Sequence, residues 1–291
     1  MTPLGLGTGF YGLGPTINSD NAAVIVTPTG TAVRVKTGPY QGVKTLVENL
    51  QSTFRGSFTI AFWIKVVDGQ PHTDQIFCGS LGGGASNSAV FLQLRTDGKL
   101  HFGFVAGGDQ HLNGTNAAVF ADGANAYKHI AVTMTIVSDD DSVSVIYVDG
   151  APVATSIIGG DEVTEAKHET WTDNLGNEIF GIGTMGMMYG AQPGTAGSGV
   201  TDTGLGTEAD IAEFAIWNVA LSDAAVAAVE DLGVPTASNF PDLTASSGSY
   251  TAQGNLVTYH KLNDYSGGFA AEQIVGFDSH TGVLLGHSVF V

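Results

Sequence analysis

Glu208, Asp210 and Glu213 gather three carboxyl groups within six residues, the group type from which acid/base or nucleophilic chemistry could be drawn. Retaining glycoside hydrolysis needs a pair of them, one carboxylate as nucleophile and one as acid/base, about 5 Å apart. Other chemistries find less support. His72, His101, His111, His129, His168, His260, His280 and His287 form no His-X-His or His-X3-His pair, so no zinc site is preformed. Neither a Gly-X-Ser-X-Gly elbow nor a Gly-X4-Gly-Lys phosphate loop occurs. The single cysteine, Cys78, closes the apolar run Gln75-Ile76-Phe77-Cys78 and reads as a small buried hydrophobe. Asp139-Asp140-Asp141 is the densest acidic cluster, but it lacks EF-hand spacing and reads as a solvated hairpin turn. Sugar binding asks for an aromatic ring beside polar side chains on loops. Asp109, His111 and Asn113 in one stretch, and Trp171, Asn174 and Asn177 in another, supply those groups and are the candidate carbohydrate-binding residues.

Composition narrows the field further. The chain carries 28 acidic against 10 basic residues, a formal charge of −18, so a phosphate backbone would be repelled and nucleic acid is excluded as a partner. With 43% hydrophobic residues and no long charge run, disorder is not expected. Glycine accounts for 41 of the 291 residues and charged residues for 13%, which suits many tight turns between well-covered strands. The opening MTPLGLGTGFYGLG lacks a basic region and a continuous apolar core, so no signal peptide is expected. No apolar stretch is long enough for a membrane-spanning helix.

The elements that must position these groups are mostly strands. Residues 208–217 alternate with apolar groups on both sides, as in a strand covered on both faces. The period then changes. Ser222 is a good helix N-cap, Ala225, Val229 and Leu232 fall at i, i+4 and i+7, and Gly233 is placed to stop the helix. Residues 57–65 form a strong strand, and residues 75–79, 89–95 and 99–105 have strand length, with Thr96-Asp97-Gly98 closing a hairpin. Further strands are expected at 24–26, 31–35, 127–133, 142–148 and 179–183, and Asp149-Gly150 marks another hairpin turn. Residues 43–50 suit either a helical turn or a strand edge, and 184–206 reads as a long loop. Residues 1–20 are an apolar, Gly-rich arm expected to lie along its own domain or a neighbouring subunit.

These segments resemble, in order, the laminin-G-like, concanavalin-A-type jelly rolls. The matching motifs are Phe58-Thr59-Ile60-Ala61-Phe62-Trp63-Ile64-Lys65, Tyr127-Lys128-His129-Ile130-Ala131-Val132-Thr133, Tyr147-Val148-Asp149-Gly150, Ile182-Gly183, and Ile216-Trp217-Asn218 followed by Leu221-Ser222. Ala212 stands where an Asp is common in the closing strand. Residues 255–267 resemble the opening strand of such domains, so the usual beginning of the fold lies at the end of this chain. The resemblance implies an all-β sandwich of two antiparallel sheets with one short helix in the C-terminal half. It implies one domain over 21–291, with 255–291 supplying the opening strands in permuted order. Because Glu208, Asp210 and Glu213 fall in the non-catalytic closing strand, no enzyme is expected; a glycoside hydrolase using them is the last alternative. Bacteriophage virion proteins carry such jelly rolls without a signal peptide or disulfides. The first expectation is therefore a non-enzymatic virion protein, a head decoration or tail appendage made in a host cytoplasm. Its partners would be other virion proteins or copies of itself, docked through the N-terminal arm, and a cell-surface glycan. A free carbohydrate-binding lectin is the alternative. Calcium is a cofactor the resemblance admits; no other cofactor or metal is expected.

Overall fold

The computed structural model describes residues 33–35, 42–46, 50–81, 88–106, 109–138, 141–159, 168, 171, 179–183, 186–187, 207–234, 241–266, 269–272, 281–285 and 289–290. In chain order the strands begin with β1 (Val33–Val35), β2 (Gly42–Leu46), β3 (Phe58–Val66), β4 (Gln75–Leu81), β5 (Ala89–Leu94), β6 (Leu100–Ala106) and β7 (Asp109–Thr115). They continue with β8 (Lys128–Ser138), β9 (Asp141–Val148), β10 (Ala151–Pro152), β11 (Thr155–Gly159), β12 (Ile179–Ile182) and β13 (Gly186–Met187). The last are β14 (Ala209–Trp217), β15 (Leu256–Ser266), β16 (Phe269–Glu272), β17 (Thr281–Leu285) and β18 (Val289–Phe290). Among the described residues two α-helices, α1 (Leu50–Arg55) and α2 (Asp223–Glu230), interrupt them. Residues 43–50 divide between the two readings: β2 ends at Leu46 and α1 begins at Leu50. The arm at 1–20 and the strand expected at 24–26 lie outside the described residues, as does the loop expected at 184–206 except for Gly186 and Met187, which form β13 instead of loop.

Two antiparallel six-stranded sheets make the sandwich. One runs β9–β8–β3–β14–β15–β16 and the other β12–β4–β5–β6–β7–β11. β17 and β2 carry the ladder from β16 round to β12, and β1 lies beside β14 and β18. β15, within the segment read as a strand, runs antiparallel to β14, with Phe214 opposite His260 and Trp217 near Leu256.

Alternation decides what fills the interior. Phe58, Ile60, Phe62 and Ile64 of β3 face Phe77, Leu92, Phe102 and Phe104 of the other sheet in one dry core. The opposite face of the first sheet is not left bare. Ala61, Ala215, Trp217 and Tyr259 there meet Ala225, Val226 and Val229 of α2, in a second apolar layer. Ser222 caps that helix, accepting from Ala225 N at 3.3 Å. Gly233, at φ +87°, ends it with a bond from its amide to Glu230 O at 2.8 Å. Tyr147 ties sheet to helix by donating to Asp223 Oδ1 at 2.8 Å. Trp63 and Trp217 are both buried, as the strand pattern requires. Asp149 and Gly150 both have positive φ, which is the geometry of a two-residue type I′ hairpin.

Candidate functional site

Of the six sugar-binding candidates, the three whose side chains are described, His111, Asn113 and Trp171, are buried. On β7 the side chains alternate, and Phe104 pairs with His111 and Phe102 with Asn113, so His111 and Asn113 point into the sandwich with the core phenylalanines. There they are bound from the opposite sheet. His111 Nε2 lies 2.7 Å from Ser144 Oγ, and Asn113 Nδ2 donates to the same oxygen at 2.9 Å and to Ser144 O at 3.1 Å. Burial first, and the nearby His168 second, hold the His111 pKa down to about 4, so the ring is neutral. Trp171 is also enclosed, edge-on to Phe54 at 5.1 Å between ring centroids, with no face open to a sugar. These three residues brace the interior. Asp109 lies on β7, its side chain outside the described ones, and Asn174 and Asn177 are outside the described residues.

The acidic trio is likewise not built as a hydrolytic pair. Ile211 and Phe214 face the core, while Ala212 packs with Trp63 on the other face of the sheet. Only two residues separate Ile211 from Phe214, so Ala212 and Glu213 both stand outward. The pairing with β3 shifts there, between Ala212 and Ala215, and Glu213 takes φ +53°. This is a β-bulge. Its effect is to put the Glu213 carboxyl beneath Tyr259 and the backbone of Pro241, 4% exposed. Asp210 is buried as well. A nucleophile and an acid/base must flank a sugar, and Glu213 is roofed by protein instead.

An open surface does exist, on the outer face of the second sheet. Val90, Leu92 and Leu94 of β5 and Leu100, Phe102 and Phe104 of β6 face the core. Alternation therefore sends Phe91, Gln93 and Arg95, and Lys99, His101 and Gly103, outward. Two glycines empty the middle of this face. Gly103 is paired with Phe91, whose ring lies across it: a Cβ at 103 would sit 2.2 Å from the ring tip. Gly114, paired with His101, is covered in the same way; a Cβ there would meet His101 Cδ2 and Ile158 Cδ1, each at 2.9 Å. Phenylalanine, imidazole and an isoleucine side chain are thus laid flat on the sheet.

Beside them opens a cleft of about 400 Å³, lined by Arg95, Asp97, Lys99, His101, Asn116 and Ile158 among others. Its charges are matched: Arg95 is bridged to Asp74 at 3.0 Å and Lys99 to Asp97 at 3.2 Å. Ser156 Oγ donates to Asn116 Oδ1 at 2.7 Å and orients that amide. Burial, helped by the Arg95 charge, holds His101 below the ordinary histidine range, so it is a neutral donor and acceptor at neutral pH. Rigid apolar faces next to planar, oriented polar groups are what a sugar ring recognises: C–H faces on one side, hydroxyls on the other. These residues were not among the sequence candidates. The signal was present, since the hairpin at Thr96-Asp97-Gly98 sets an outward aromatic, Phe91, opposite a glycine, Gly103. Among the described residues no group of three or more His, Cys, Asp or Glu side chains could hold a metal ion.

Residues 37–227 match the family model of the concanavalin A-like lectin/glucanases superfamily. The chain belongs to that superfamily. No curated protein sequence matches the chain. Among solved structures, a candidate carbohydrate-binding protein from Bacteroides ovatus is similar at 17% identity and TM-score 0.50, over 90% of this chain and 60% of that one. The present chain therefore spans less than two thirds of that protein. A heptameric SAP-like pentraxin from Limulus polyphemus follows at 14% identity and TM-score 0.44, covering 71% of this chain and 84% of its own. A CBM40 module of a Ruminococcus gnavus sialidase, bound to α2,3-sialyllactose, matches at 14% identity and TM-score 0.45, over 69% of this chain and 99% of that one. At these identities the likeness is one of fold.

Proposed function

We propose that this protein is a non-enzymatic carbohydrate-binding module that takes its ligand on the outer face of the β5–β6–β7–β11 region. One observation carries the reading: Phe91 lies flat over Gly103 beside a cleft with His101, Asn116 and matched ion pairs. The Bacteroides ovatus structure, described as a candidate carbohydrate-binding protein, supports it as a relative of the same fold. The roofed position of Glu213 favours binding over hydrolysis. The test is a glycan array with the wild type and Phe91→Ala. A set of glycans retained by the wild type and lost by the variant is the expected result. Retention unaffected by the variant would move the site elsewhere, and no retention at all would remove the lectin reading.

We further propose that the module is displayed on a virion, as a head decoration or tail appendage docked to other virion proteins or to copies of itself. The observation in favour is a jelly roll that needs no disulfide, its one thiol being buried and pushed out of the ionising range by burial. The arm at 1–20 is the segment proposed to dock. Mass spectrometry of purified particles tests this, and absence of the chain at stoichiometric copy would refute it.

A further inference from the structure

The bulge in β14 brings together three groups whose protons can be counted. Tyr259 Oη is hydrogen-bonded to Glu213 Oε2 and lies 3.0 Å from Pro241 O. A phenol has one proton to donate, and here it has two neighbouring oxygens. Both contacts are satisfied only when the carboxyl itself carries a proton: Glu213 O–H then donates to Tyr259 Oη, and Tyr259 O–H donates to Pro241 O. A second observation agrees. Glu213 Oε1 is buried without a partner, which a neutral carbonyl oxygen tolerates far better than half of a carboxylate. Residues 241–250 are held over this point by further bonds. Tyr250 Oη donates to Leu243 O at 2.7 Å and receives the Trp217 indole N–H at 3.1 Å.

We propose that Glu213 and Tyr259 form a proton-dependent latch, which holds residues 241–250 on the sheet while the carboxyl is protonated and loosens them when it ionises. On ionisation the carboxyl proton goes to solvent, the Tyr259 O–H turns to Glu213 Oε2, and Pro241 O loses its donor. No other group need change its charge. The ionisable groups bearing on the carboxyl are Tyr259 and Lys261 from β15 and Asp242 from the covering segment. Burial pushes the Glu213 pKa up to about 8, against the opposing pull of the Tyr259 bond and the Lys261 charge. Burial and then the Glu213 charge push the Tyr259 phenol up, so it stays protonated throughout. The latch therefore works in mildly alkaline solution, on the face of the sandwich opposite the proposed glycan surface.

Amide hydrogen exchange on the full chain, corrected for the intrinsic effect of pH, tests it. Thr244, Ala245, Ser247 and Tyr250 have amides bonded within the segment and report its opening. From pH 6.5 to pH 9.5 the wild type is expected to lose protection at these amides by about five- to tenfold, the weight of one hydrogen bond, with β3 and β8 unchanged. Glu213→Gln keeps a donor toward Tyr259 at every pH, so its protection should not depend on pH. Tyr259→Phe should show the loosened segment at both pH values. Constant protection in the wild type would overturn the latch, as would a pH-dependent loss that survives in Glu213→Gln. If the glutamine variant does not fold, Tyr259→Phe decides: persistence of the pH-dependent loss in that variant overturns the proposal.

Discussion

Replacing Glu213 with glutamine should stabilise the protein at neutral pH, against the common expectation that a buried hydrogen-bonded residue resists substitution. The carboxyl titrates at about 8 in the folded chain against 4.5 as its ordinary value. Its folded pKa is raised, so the proton is bound more tightly in the native state than in the unfolded one. The stabilisation that this supplies is complete below pH 4.5, shrinks as the pH climbs, and is gone above pH 8. Each pH unit in that window costs about 1.4 kcal/mol, because the unfolded chain releases a proton that the folded chain must keep. Summed across the window the penalty is about 5 kcal/mol for a pocket that stays shut, and less to the extent that water enters it. Glutamine has the shape of the protonated acid, can donate to Tyr259, and does not titrate. Urea unfolding of both proteins at half-unit intervals from pH 4 to 9 reads the difference directly. The curves should coincide near pH 4 and diverge to a plateau near pH 8, with glutamine the more stable. Parallel curves across the range would refute the reasoning, since they would mean that Glu213 ionises as freely in the folded chain as in the unfolded one.

Three further outcomes are expected. Gly103→Ala puts a methyl where the Phe91 ring now lies; the ring should swing into solvent at a cost of no more than about 1–2 kcal/mol, since it is only half buried. Any glycan affinity should meanwhile fall at least about tenfold, and calorimetry showing unchanged affinity would place Phe91 outside the site. Trp63→Ala and Trp217→Ala should each cost about 3–5 kcal/mol by denaturant unfolding, and free access of an aqueous quencher to both indoles in the folded wild type would contradict that. Deleting residues 255–291 removes β15 from the side of β14 and should leave an aggregating or unfolded remainder, whereas deleting residues 1–14 should spare the melting temperature; the opposite pair of results would reverse the roles of the two ends.

How much of this could be read in the sequence depends on how far each residue's partners lie along the chain. The strand at 57–65, the capped helix after Ser222 and the turn at Asp149-Gly150 are written in neighbouring residues, and the structure has them where the pattern puts them. The C-terminal strand was legible too, because Leu256, Val257 and Tyr259 need a covered place whatever their position in the chain. The bulge at Glu213 was hidden. A strand with apolar residues on both faces shows no break in its period when one extra residue is inserted; the core contacts of Ile211 and Phe214, the register shift against β3 and the positive φ of Glu213 reveal it.

His111, Asn113 and Trp171 were misread for the same reason. His111 and Asn113 look like loop polars to a local reading, yet their hydrogen-bonding partner, Ser144, is 33 and 31 residues further on and comes from the other sheet. Trp171 is similar: Phe54 packs against it, and Arg55 Nε holds its carbonyl at 2.9 Å from 116 residues earlier. Polar and aromatic residues in the interior and on a binding surface have the same composition, and only parity along the strand separates them. Parity was readable for β5 and β6, where a three-residue turn fixes the register and sets Phe91 against Gly103. It was not readable for β7, which is inverted relative to a naive reading because its inward face carries His111, Asn113 and Thr115 while Leu112 points outward. In a sheet whose interior accepts polar side chains through cross-sheet bonds, the informative mark of an exposed working face is the glycine that lets an aromatic ring lie flat.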